Sequence, residues 1–369
     1  MKNLFCRYEI STKSLFRNLP YSFSLRPYSD IVFVSDGAKW VLSWEMLEIA
    51  KIASKLGIKT RSSVPISVGL PRQSIFFPNK YILRYPRNYL LMPNRVAFPY
   101  FHGYPDSRDS VAAECYDNLR RFHRMIFRIQ VSHAHMRNLV LNTGIDPSKV
   151  FLIPIGINMD FFKRQTPQSR KSMRDKYGIP QHAVVIGSFQ KDGNGWGEGN
   201  TPKLIKGPDT FLKVVTILRE SVPDLFVLLS GPARGFVKNG LEKAKIPYKH
   251  IYLKDYPEIN ELYQCLDLYI VASREEGGPK AVLEAMACGI PLVTTKVGQA
   301  MDLVHPGENG WMVDVEDAEG LAYMAGKVLT DNNNIGEVLA NAFKTAHSNS
   351  YVSQLGLWEE FFRGFVDTN

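Results

Sequence analysis

Two carboxylates, Glu276 and Glu284, bracket a glycine pair and a proline in the run EGGPKAVLE. Gly277 and Gly278 carry no side chain to block a ligand, and Pro279 suits a first helical turn because its missing N–H would be unpaired there anyway. A turn that opens a helix in this way leaves backbone N–H groups at the positive end of the helix dipole, which makes a seat for a phosphate over Gly278, Pro279, Lys280 and Ala281. Carboxylates beside a phosphate repel it unless they face something else, and the hydroxyls of a ribose or a hexose are suitable partners. The pattern therefore suggests a nucleotide joined to a sugar. A bare pair of acids at this spacing would equally describe an ordinary strand-to-helix turn with two solvated glutamates.

The run is longer than the pair. It continues as EAMACGIPLVTTKVG and, after a short spacer, GENGWMVDVED, and from Val271 to Asp317 it resembles the donor site of glycosyltransferase family 4, retaining enzymes of the GT-B fold. The resemblance implies that Glu284 holds the ribose hydroxyls and Glu276 those of the transferred sugar. It also implies that Lys206, in a Lys-Gly pair with Gly207, holds the leaving diphosphate. Ser188 stands where the family has an arginine, so either Lys191 reaches in or the diphosphate rests on Lys206 and backbone N–H groups. On the acceptor side, Gly37 lacks the second glycine of the family's first turn. His102, after a strand interrupted by Pro99, matches a histidine that touches the donor sugar.

The elements that must carry these residues are α/β units. An apolar run at 30–35 is followed by Gly37 and an amphipathic helix near 43–56,. Further strands are expected at 95–101, 128–132, 183–189, 225–229, 250–253, 266–272 and 291–295, with helices between them. Strands alternating with helices imply parallel sheets covered on both faces. Ligands then gather at the carboxyl ends of the strands, where Gly231, Arg234, Lys254 and Glu276 fall. The expected architecture is GT-B: two Rossmann-like, doubly wound parallel-sheet domains facing a central cleft. Residues 1–165 are expected to form the acceptor-side domain and 166–350 the donor domain, with the polar stretch 163–176 connecting them. The apolar stripe of Trp358, Phe361, Phe362 and Phe365 belongs to a segment, 351–369, expected to cross back to the first domain. The five glycines at 187, 193, 195, 197 and 199 fit no G-x-G-x-x-G, so a dinucleotide-binding dehydrogenase loses its best support.

Composition narrows the setting. With 369 residues, 45% hydrophobic and 22% charged, the chain is long enough for two cores,. Its four cysteines show neither zinc spacing nor a disulfide framework, so a cytoplasmic location is expected,. No apolar run approaches the ~20 residues that a membrane span needs. Residues 1–165 hold 24 Lys and Arg against 11 Asp and Glu, and the rest 21 against 25. Between Ile49 and Pro105 nine basic residues and no acid are interleaved with nine Phe and Tyr. That stretch suits a peripheral contact with an anionic membrane face, while the plainer alternative is a basic solvated surface whose aromatics are core. Nucleic acid is not an expected partner, since it would leave the ordered acids unexplained.

The resulting expectation is a metal-independent retaining hexosyltransferase. It would move a sugar from a nucleoside diphosphate donor to a glycan or lipid-linked acceptor hydroxyl in polysaccharide or glycolipid assembly, with no cofactor beyond the donor. Domain closure would complete the site. A non-hydrolysing nucleotide-sugar epimerase and a catalytically silent nucleotide-sugar-binding partner stay open, as do the donor base and the acceptor.

Overall fold

Continuous apolar runs of four to six residues, buried along their whole length, are the mark of parallel strands covered on both faces. The computed structural model describes residues 30–34, 41–63, 73–86, 90, 94–107, 110–195, 197–330 and 334–367. Gly37 and the first 29 residues lie outside them. Contacts divide the chain into one unit of residues 1–154 with 354–369 and a second of residues 155–353.

In the first unit the strands are β1 (Ile31–Val34), β2 (Thr60–Ser63), β3 (Ser74–Phe76), β4 (Arg95–Pro99), β5 (Arg128–Val131) and β6 (Val150–Leu152), in the order β2-β1-β3-β4-β5-β6. Every pairing is parallel. The C-terminal helix Leu355–Phe362 belongs to this unit: Phe76 meets Trp358 and Phe361 edge-on at 6.1 and 5.7 Å. Ser74 Oγ donates to the Phe365 carbonyl at 2.6 Å, and Arg95 reaches Asp367 at the same distance. The aromatics of the basic stretch are mostly core. Phe76, Phe77, Phe98, Tyr100 and Phe101 are buried, whereas Tyr81 is exposed. Arg84 pairs with Glu114, and Lys80 is buried over the Tyr100 ring. Among the described residues of the stretch, five of the nine rings thus belong to the core of the first unit. Among the described residues no helix is long and apolar enough to cross a membrane.

The second unit holds β7 (Val184–Ser188), β8 (Leu225–Ser230), β9 (Tyr248–Ile251), β10 (Leu268–Val271), β11 (Leu292–Thr295) and β12 (Trp311–Val313), all parallel and ordered β12-β11-β10-β7-β8-β9. Two clusters of buried apolar side chains cover the sheet, one around Leu262, Met286 and Ile290 and one around Phe211, Val214 and Leu321. The polar stretch 163–176 is not a connector. From Pro167 to Tyr177 it is a helix of the second unit, opened by a Thr166–Ser169 capping box and closed by Gly178 in the left-handed region. Its anchor is Arg174, fully buried, which donates to the carbonyls of Cys265 and Ala183 and pairs with Asp267 at 2.7 Å. Burial lowers the Arg174 pKa, and Asp267 opposes the shift. A buried cation in place of an apolar stripe is why the helix does not show in the hydrophobic pattern.

Candidate functional site

The second sheet reverses its strand order between β7 and β10, and in open parallel sheets ligands bind outside the carboxyl ends of the strands flanking such a point,. Ser188 ends β7, and Ser273 to Glu276 follow β10. Between β7 and the helix Pro208–Ser221 a single turn, Leu204–Lys206, brings Lys206 to the same place. Gly207 makes that approach feasible. Its φ is +61°, and a Cβ there would lie 1.8 Å from the Ala272 carbonyl oxygen. Arg274 then fixes the turn from the other side. Its Nη1 and Nη2 each reach the Asp209 carboxylate at 2.7 Å, Nη1 also reaches the Leu204 carbonyl at 2.7 Å, and its backbone N–H donates to Ile205. Although burial acts against ionisation, the Arg274 hydrogen bonds hold Asp209 below the ordinary carboxylate range.

With the turn fixed, Lys206 Nζ stands 2.5 Å from Glu276 Oε1. Ser273 Oγ donates to the same oxygen at 3.1 Å, and Gln190 Nε2 donates to the Lys206 carbonyl at 2.9 Å. Lys206 and Glu276, far apart in sequence, are therefore neighbours. Gln190, Ser273 and Arg274 escaped the sequence reading. Only Arg274 left a signal there, as a cation beside Glu275 and Glu276 that complements the acid of the KGPD run.

The glycine turn packs tightly. A Cβ on Gly278 would lie 2.8 Å from the Gln299 side chain, whose Oε1 accepts the Ile155 N–H at 2.8 Å. Pro279 is not in the first helical turn. With ψ at 108° it is the cap preceding the helix Lys280–Cys288, and its carbonyl accepts the Val282 N–H. The backbone N–H groups at this turn are those of Gly277, Gly278, Lys280 and Ala281, since Pro279 carries none,. Lys280 Nζ reaches the Tyr351 hydroxyl at 2.9 Å and lies over the Tyr256 and Tyr351 rings.

Glu284 differs from the solvated group that an exposed sugar site would require. It is 3% exposed, with Oε2 accepting from the Tyr263 hydroxyl at 2.9 Å and Oε1 from that of Tyr256. Burial pushes its pKa up, against the two tyrosine hydrogen bonds and the charge of Lys280.

Arg234, expected at the donor, is also buried. Its guanidinium donates to the Ser188 and Ser230 carbonyls at 2.6 and 2.7 Å and to Ser188 Oγ at 3.1 Å, and Nε stands 3.0 Å from Asp192. The strand end where the resembled family carries an arginine is thus filled by a guanidinium arriving from the far end of β8. Gly231, with φ +90°, turns the chain from β8 towards it. The glycine-rich loop covers the pair: Cβ atoms on Gly193 and Gly199 would lie 2.3 and 2.2 Å from the Ala233 carbonyl oxygen. Glu198 and Gly199 carbonyls accept the Gly235 and Phe236 N–H groups that open the helix Gly235–Lys243. Close packing accounts for Gly193 and Gly199, whereas Gly195, with open space around it, supplies a φ of +73°. Lys191 enters this loop half-buried, and burial lowers its pKa.

In the first unit, His102 follows β4. Its carbonyl accepts from Lys80 Nζ, which also stands 3.5 Å from His102 Nδ1. Among the described residues no group of three His, Cys, Asp or Glu is placed to hold a metal ion.

Residues 202–345 match the family model described as glycosyl transferases group 1. The D-inositol 3-phosphate glycosyltransferase of Corynebacterium urealyticum is 29% identical over 200 residues, covering 50% of this chain and 44% of the relative. The lipopolysaccharide core biosynthesis mannosyltransferase LpsB of Rhizobium meliloti is 28% identical over 158 residues, 40% of this chain and 45% of its own. The chain spans about half the length of the curated relatives it matches. In fold the likeness is longer. HepE of Anabaena, solved in complex with UDP and glucose, superposes with a TM-score of 0.73 at 16% identity, over 91% of this chain and 100% of that one. Sucrose-phosphate synthase of Thermosynechococcus elongatus gives 0.73 at 14% identity, over 90% and 98%. By sequence over residues 202–345 and by fold over both Rossmann-like units, this chain is similar to the group 1 glycosyltransferases of the GT-B architecture.

Proposed function

We propose that the protein is a retaining, metal-independent glycosyltransferase that moves a hexose-type sugar from a nucleoside diphosphate donor to an acceptor hydroxyl. The observation that carries this reading is the meeting of Lys206, Glu276 and the glycine turn at the strand-order reversal, inside the segment similar to group 1 glycosyltransferases. As the bond between the sugar and the β-phosphate oxygen breaks, negative charge grows on the diphosphate. A positioned cation and N–H dipoles stabilise charge that develops in this way. Lys206 and the backbone at Gly278, Lys280 and Ala281 take that role, while Glu276 binds sugar hydroxyls and Glu284 those of the ribose. Lys191 is a further candidate for the diphosphate. From the first unit, His102 serves the same reaction, on the strength of the resemblance.

The relatives' names include a lipopolysaccharide mannosyltransferase, and one fold neighbour was solved with UDP and glucose. A polysaccharide or lipid-linked acceptor and a UDP-sugar are accordingly the first substrates to try. The test is thermal stability with UDP, GDP, ADP and dTDP in turn, each with and without EDTA. A ligand at about 100 times its dissociation constant adds roughly 2.7 kcal/mol. One nucleotide should stabilise regardless of EDTA, and K206A should weaken that shift and cut transfer by about 10²–10³-fold, as expected for lost charge stabilisation. With the matching sugar nucleotide, H102A should slow turnover without altering nucleotide binding. No shift with any of the four nucleotides would sink the proposal.

A further inference from the structure

The carboxylate proposed for the ribose is already occupied. Glu284 lies almost wholly inside the unit, and its two oxygens are taken by two tyrosine hydroxyls, one each. The two tyrosines are not equivalent. Tyr263 is fully buried, with its ring against Phe189 at 5.1 Å, Tyr269 at 5.3 Å and Phe162 at 6.3 Å, and it closes the helix Ile259–Tyr263. Moving it would open the core. Tyr256 instead begins the short turn Tyr256–Glu258 on the segment joining β9 to that helix, and its side chain is half-buried. Its ring meets Phe162 edge-on at 6.2 Å and has Lys280 Nζ over it at 5.7 Å.

A hydroxyl brought by a ligand needs an acceptor lone pair and a way to it. Of the two rings that hold Glu284, only that of Tyr256 is partly exposed. We infer that Tyr256 is an internal stand-in for a donor hydroxyl: its hydroxyl donates to Glu284 Oε1 and is exchanged for a ribose hydroxyl when the nucleotide binds. The exchange is chemically even, one O–H···carboxylate hydrogen bond for another, and it leaves no buried carboxylate oxygen unpaired in either state. The specificity that follows is for a nucleotide bearing ribose hydroxyls, because a deoxygenated sugar offers nothing to displace the tyrosine. This inference rests on the donor-site reading above.

The experiment is calorimetric titration of wild type, Y256F and Y263F with UDP and with 2′,3′-dideoxy-UDP. Removing a competing hydroxyl should tighten UDP binding to Y256F by ~10- to 100-fold, the worth of one hydrogen bond to a charged group. The dideoxy analogue should bind wild type and Y256F alike, which a merely structural role for Tyr256 would not produce. Y263F, which removes the fixed partner, should lose thermal stability and show no comparable gain. Weaker or unchanged UDP binding by Y256F, or an equal gain for the dideoxy analogue, overturns the exchange while leaving the donor site standing, provided wild type binds UDP and E284Q weakens it. If neither wild type nor Y256F binds UDP, GDP, ADP or dTDP, the donor site fails and the inference with it.

Discussion

At the scale of single residues, the second unit keeps its charges by pairing them. Arg234 and Asp192 are both about 1% exposed and stand 3.0 Å apart, so neither is hydrated and each depends on the other. Burial alone would push Asp192 towards its neutral form, and Arg234 opposes that. Removing one partner of such a pair leaves an uncompensated buried charge at a cost of about 3–5 kcal/mol, whereas replacing both by apolar groups of similar size is often neutral. R234A is therefore expected to lower the urea midpoint sharply. The double variant R234M/D192L should recover most of the loss. Equal stability of R234A and wild type would mean that the pair holds nothing together. The glycine turn and both glutamates show in the sequence because their types and spacing are local, and Lys206 shows only through the resemblance of its Lys-Gly pair to the family's. Their partners Ser273, Gln190, Tyr256 and Tyr263 do not, since a serine, a glutamine or a tyrosine carries no pattern until the fold brings it to an acid.

At the scale of elements, strands buried along their whole length showed plainly, among them Ile31–Val34, Leu268–Val271 and Leu292–Thr295, and the half-buried Tyr248–Ile251 showed with its bounds displaced, as 250–253. Those that did not are the edge strand Thr60–Ser63, which reads TRSS, and the three-residue strands Ser74–Phe76, Val150–Leu152 and Trp311–Val313, too short to show a period. The helix expected between the strands at 225–229 and 250–253 is Gly235–Lys243, whose bounds do not show in the sequence because two glycines weaken its propensity,. Its first N–H groups are satisfied by loop carbonyls, not by a capping side chain. The turn carrying Lys206 is held by geometry that one atom would spoil. G207A places a Cβ against the Ala272 carbonyl in a backbone region that costs an L-residue about 1–2 kcal/mol before any clash,. It should lower the melting temperature and, by displacing Lys206, weaken nucleotide binding more than an equally destabilising substitution far from the turn. That comparison is a thermal-shift titration of the two variants side by side.

At the scale of the whole molecule, the division into two units does not follow the order of the sequence. The first unit takes in the helix Leu355–Phe362, whose Trp358, Phe361 and Phe362 lie fully buried within it. Truncating a core Trp to alanine typically costs about 3–5 kcal/mol. W358A should thus lower the stability of the first unit while nucleotide still stabilises the second, a separation that limited proteolysis with and without UDP would reveal by which fragment survives. The same arrangement sets a timetable for synthesis. The last part of the first unit emerges about 200 residues after the rest of it, and at about 5–20 residues per second that is a delay of some 10–40 s,. The second unit, continuous from residue 155 to 353, is synthesised whole before that last part of the first. Through that interval the face of Phe76 waits uncovered, a hydrophobic surface that a nascent-chain chaperone would be well placed to hold.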